Sequence, residues 1–88
     1  MHIVVELTFG PEPERLALRP GHREKLAALH AEGRVVMAGP FADESGALLV
    51  FDVESEEALD ALLGDDPYYA APGNTIVRRQ AWTPLFTP

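Results

Sequence analysis

Eighty-eight residues, with seven Lys or Arg against fourteen Asp or Glu and a formal charge of −7, make one acidic domain over residues 1–88 with a single modest core. The charge excludes a phosphate backbone as partner, because no basic stripe offsets it, and the absence of cysteine excludes disulfides, thiolate metal sites and a cysteine nucleophile. No apolar run approaches the roughly 20 residues that cross a bilayer, and Met1-His2-Ile3-Val4-Val5-Glu6 lacks the basic start of a signal peptide, so no membrane partner and a cytoplasmic location are expected.

In chain order, residues 2–9 alternate, with Ile3, Val5, Leu7 and Phe9 on one face of a predicted strand. Gly10-Pro11-Glu12-Pro13 breaks it. Pro20 suits the first turn of a helix and Gly33 its left-handed stop, which predicts a helix over about residues 20–32. His22 then shares a face with Leu26 and Leu29, while Arg23, Glu24, Lys25 and Ala28 point away. Arg34 to Phe41 and Ala47 to Val53 read as strands joined by a short connection, Ala42-Asp43-Glu44-Ser45-Gly46, and so as a hairpin. Ser55 caps a second helix whose buried stripe is Leu59, Leu62 and Leu63 and whose end is Gly64. Asp66-Pro67 starts a short helical turn, and a last strand runs from about Thr75 to Trp82.

The order β-α-β-β-α-β is the split βαβ, ferredoxin-like arrangement of the α+β class: a four-stranded antiparallel sheet with two helices on one face. In Val35-Val36-Met37-Ala38 and Leu48-Leu49-Val50-Phe51 both faces are apolar, although a sheet with one wet face should alternate. The helices cover one face only. A homodimer packed sheet to sheet, or a higher even-numbered oligomer, is therefore expected.

Two residues stand out chemically. His22 occupies a helix position where a core helix would place leucine, and an imidazole titrating near 6.5 can accept and return a proton near neutral pH. Asp66 at a helix start can cap with one oxygen and face His22 with the other. Each also has a plain structural reading, as a half-buried histidine bonded to a loop carbonyl and as an ordinary cap before proline. Arg19 offers a planar fork to a substrate carboxylate or to Glu14 or Glu24 on the surface. Gly39 and Pro40 end a strand, where glycine also lets backbone approach a ligand. Tyr68 is a candidate pocket wall or core aromatic. No glycine-rich phosphate loop, close His/carboxylate ligand set or nucleophile elbow occurs, so no cofactor, metal or serine triad is expected.

Arg15-Leu16-Ala17-Leu18-Arg19-Pro20-Gly21-His22, then Leu29-His30-Ala31-Glu32-Gly33-Arg34, Met37-Ala38-Gly39-Pro40 and Asp66-Pro67-Tyr68 together resemble the YciI-like (YCII-related) proteins from end to end. The resemblance implies a ferredoxin-like subunit that dimerises into an α+β barrel, as in muconolactone-isomerase-like proteins. It also implies a His–Asp active site carried onto His22 and Asp66. The chemistry associated with relatives is dehydrochlorination or isomerisation of muconolactone-type products. Ala42 to Ser45 is shorter than the connection many relatives carry, which bears on the pocket mouth. The expected function is a small lyase- or isomerase-type enzyme moving a proton on an organic acid or lactone. The alternative is a dimeric small-molecule-binding or accessory protein that uses the same pocket without turnover.

Overall fold

β1 (His2–Phe9), α1 (Glu14–Ala31), β2 (Val35–Pro40), β3 (Gly46–Asp52), α2 (Glu56–Gly64), a 3-10 turn (Pro67–Ala70) and β4 (Asn74–Trp82) follow one another in the computed structural model, which describes residues 1–88. The four strands form one antiparallel sheet in the order β2-β3-β1-β4, which bears out the ferredoxin-like expectation. β1 lies between β3 and β4, and its odd residues face the core. Ile3, Val5 and Leu7 are fully buried and stand opposite Phe51, Leu49 and Ala47 of β3.

Both helices pack on that odd face. Leu18, Leu26 and Leu29 of α1 and Leu59, Leu62 and Leu63 of α2 close over the β1–β3 core. Leu59 is fully buried and stabilises the fold by roughly 1.5–3 kcal/mol, while the other five are partly buried and contribute less. The even face carries Val4 opposite Val50, Met37 opposite Val50 and Trp82 opposite His2. No helix covers it, and Met37 and Trp82 remain about half exposed, at 55% and 48%.

The first helix differs from its sequence-based boundaries. It begins at Glu14 with Pro13 at the N-cap, so Pro20 lies inside it. Proline there leaves the Leu16 carbonyl without its usual donor, and the residue before a proline disfavours helical geometry. Packing outweighs both. Leu18, His22, Leu26 and Leu29 form one stripe facing the sheet only if the helix is continuous from before Pro20. The expected stop at Gly33 holds: with φ at 80°, Gly33 donates to the His30 carbonyl and Arg34 to that of Leu29, a Schellman closure. Ser55 caps α2 as expected, its hydroxyl accepting from the Ala58 amide at 3.1 Å.

The β2–β3 connection positions the site. A Cβ on Gly46 would come within 1.9 Å of the Leu7 carbonyl oxygen, so only glycine lets β3 start this close to β1. Just before it, Glu44 adopts a left-handed φ of 58°, uncommon for a residue with a side chain.

Candidate active site

His22 projects from α1 into the interior and is 7% exposed. Its Nδ1 lies 2.6 Å from Asp66 Oδ2. Asp66 is 6% exposed, and its other oxygen, Oδ1, accepts from the Tyr68 amide at 3.0 Å, which caps the 3-10 turn. One carboxylate thus caps a turn and grips an imidazole, the two uses the sequence allowed together. Asn74 steadies the same turn from β4, its side-chain amide donating to the Tyr68 carbonyl at 2.6 Å.

The imidazole is boxed by aromatics. The Tyr68 ring stacks on it with centroids 3.9 Å apart and planes 13° from parallel. Tyr69 meets it edge-on at 5.2 Å. Because an ionised carboxylate only accepts, Nδ1 carries the hydrogen donated to Asp66, and Nε2 is left with its lone pair. No hydrogen bond within the chain engages Nε2. Burial pulls the His22 pKa below the usual 6.5, outweighing the opposing hydrogen bond and charge of Asp66, and the Arg23 charge pulls the same way. His22 is therefore a neutral base at neutral pH. Burial, with the Asp66 charge second, pushes the Tyr69 phenol above its ordinary value and keeps it protonated.

A helix N-terminus beside His22 would also disfavour the imidazolium, but α1 begins at Glu14 and His22 lies well inside it, so desolvation is the cause.

His22 forms part of the wall of a cavity of about 420 Å³ between α1, the β2–β3 connection and the covered end of the sheet. That volume suits a small ligand. Of the expected site residues, Arg19, His22, Gly39, Pro40 and Tyr68 all line it. Asp66 does not; it reaches the cavity through the imidazole and borders a smaller hollow of about 150 Å³ with Leu26 and Tyr69. Arg19 forms no ion pair with Glu14 or Glu24.

Several site residues escaped the sequence reading. Arg23, expected to point away, lines the cavity, as do Arg15 and Glu44. Starting the helix at Pro20 left Arg15 in a loop. Starting it at Glu14 gives Arg15, Arg19 and Arg23 the four-residue spacing of one helix face. The absence of a local basic stripe, inferred from net charge, is thus amended inside the cavity. No group of three or more His, Cys, Asp or Glu could hold a metal ion, and no helix is long and apolar enough to cross a membrane.

The profile of the YCII-related domain matches residues 1–82. Protein YciI of Escherichia coli O6:H1 (strain CFT073) is 38% identical over 68 residues, 66% of this chain and 69% of that protein. The uncharacterized protein YjpA of Bacillus subtilis (strain 168) is 32% identical over 82 residues, 93% of this chain and 95% of its own. Among solved structures, 5-chloro-2-hydroxyhydroquinone dehydrochlorinase from Burkholderia phenoliruptrix AC1100, in complex with 2,5-dihydroxybenzoquinone, superposes with a TM-score of 0.68 over 94% of each chain. At 17% identity that likeness is one of fold. With the profile covering nearly the whole chain and two curated relatives above 30% identity, this chain belongs to the YCII-related domain family.

Proposed function

We propose that the protein is a small lyase- or isomerase-type enzyme in which His22 moves a proton on an organic acid or lactone. The observation that carries this reading is the buried 2.6 Å His22–Asp66 contact at the wall of a ligand-sized cavity. That a protein of the same fold is named a dehydrochlorinase supports the reaction class.

His22 Nε2 takes a proton from a carbon beside a carbonyl, leaving an enolate on the substrate and an imidazolium on the enzyme. Asp66 fixes the ring through Nδ1 and stabilises its charged form. In an isomerisation the imidazolium returns the proton to a different carbon. In an elimination the enolate electrons expel a leaving group from the adjacent carbon, and the proton passes from His22 to water. Arg19 and the backbone near Gly39 steady the developing anion. Tyr68 holds the imidazole plane and one side of the ligand.

Assembly forms part of the same proposal. A second copy covers the even face, where Val4, Met37, Leu48, Val50 and Trp82 have no helix above them, giving a homodimer or a higher even-numbered oligomer.

The test is carbon-bound deuterium. A panel of small organic acids and lactones is incubated with protein in D2O and read by mass spectrometry. Wild type is expected to label or convert at least one compound, and His22→Gln to leave it untouched. Equal labelling by both proteins would remove His22 as the base. Ligand retention without labelling would favour a binding protein.

A further inference from the structure

Four of the seven basic side chains are spoken for. Lys25 pairs with Asp65, Arg34 with Glu32, Arg78 with Glu6, and Arg79 with both Glu56 and Asp60. The three without a carboxylate partner are Arg15, Arg19 and Arg23, and all three line the cavity that holds His22. In a chain with twice as many acids as bases, this is a selective distribution. Acids are plentiful, yet none neutralises these cations. The single carboxylate on the cavity wall, Glu44, pairs with none of them.

Their spacing adds geometry. Residues four apart on a helix face stand about 6 Å apart along its axis, so the three positions cover roughly 12 Å of one wall. Arg15 adds a second, independent sign. Its guanidinium sits 4.0 Å over the Phe9 ring, which fixes its position. Its Nε–H is buried and has no acceptor in the chain. Buried donors nearly always find a partner, and those that do not call for an explanation.

We infer that the cavity takes a small organic dicarboxylate, its two acidic groups held by Arg15, Arg19 and Arg23 along one wall. This rests on the reading above for the chemistry at His22, and on the unpaired arginines alone for binding. Arg19 and Arg23 lie on either side of His22 along α1, so a carboxylate held there brings its neighbouring carbon towards the imidazole. Arg15, one turn earlier, takes the distal carboxylate and supplies its Nε–H. The skeleton between lies against Leu26, Leu49 and Tyr68. A single phosphate would concentrate its charge at one point, whereas the cations are spread over two turns. Arginine forks also suit planar carboxylates.

Calorimetric titration of the full chain tests this with glutarate, adipate and pimelate, each against the monocarboxylate of equal length, and with inorganic phosphate. At least one diacid is expected to bind about tenfold or more tightly than its monoacid and than phosphate. Arg15→Gln, Arg19→Gln and Arg23→Gln should each weaken that diacid by about tenfold or more, in line with the loss of a charge-assisted hydrogen bond. Arg34→Gln, which removes a surface pair, should leave it unchanged. Melting curves confirm the fold of each variant; exposed Arg23 carries the comparison if Arg15→Gln is unstable. Equal affinity for diacids and monoacids, tighter binding of phosphate, or diacid binding indifferent to all three substitutions overturns the inference. Arginine-dependent diacid binding with no deuterium labelling of any acid would overturn the base role of His22 and leave this inference standing. Labelling without a diacid preference would do the reverse.

Discussion

α1 carries two histidines two turns apart, and their surroundings could hardly differ more. His22 is buried, and its Nδ1 meets a carboxylate from a turn 44 residues further along the chain. His30 is exposed, and its Nδ1 lies 2.8 Å from the Val35 carbonyl, five residues away. Both rings are oriented through the same nitrogen. Only His22 has a partner whose charge stabilises an imidazolium, and only His22 borders the cavity. His30 ties the end of α1 to the start of β2, a local task. The comparison teaches that a histidine's role lies in what its second partner is and what its free nitrogen faces. Its place in a helical stripe decides little.

The widest separation between the two should appear in catalysis. His22→Gln is expected to remove proton transfer by roughly 10²–10⁴-fold, the usual worth of a positioned general base. His30→Gln should leave the rate unchanged and cost about 1 kcal/mol of stability or less, the net value of one hydrogen bond. Comparable rate losses for both, measured by deuterium incorporation, would erase the distinction.

The partner comes next. Asp66→Asn keeps a side chain that caps nearly as well as aspartate, so the melting temperature should hardly move while the rate falls. Asp66→Ala removes the cap and orphans the buried Nδ1–H, at a cost on the order of 2 kcal/mol by denaturant titration. Full activity in Asp66→Asn would reduce Asp66 to a cap.

The smallest effect is on stability against pH. Burial lowers the His22 pKa in the folded state, so below 6.5 the unfolded chain binds the extra proton first. Stability should therefore fall as pH drops from 6.5 towards the folded-state value, and be fully present above 6.5. His22→Gln should flatten that part of the profile. An unchanged slope would place the titration elsewhere.

Much of this was legible in the sequence. Alternation in β1, the Ser55 cap, the Gly33 stop and the unbroken apolar run of β3 are local signals, and local physics fixed them. His22 and Asp66 were visible as candidates because each residue type is unusual at its position. Their contact was not, since it depends on how α1 and the 3-10 turn pack against the sheet. The start of α1 is not legible locally. Pro20 and the residue before it disfavour helix locally, and burial of Leu18 in line with His22, Leu26 and Leu29 outweighs them. That one boundary hid the arginine row, because Arg15 and Arg19 share a face with Arg23 only on a continuous helix.

Proton transfer by His22 depends on which of its nitrogens holds the proton, and nitrogen-15 NMR of the imidazole reports that directly. At neutral pH the ring should be neutral, with Nδ1 protonated, Nε2 bearing the lone pair, and this state lost in Asp66→Ala. A proton on Nε2, or a spectrum unaltered by Asp66→Ala, would contradict the proposed base and its partner.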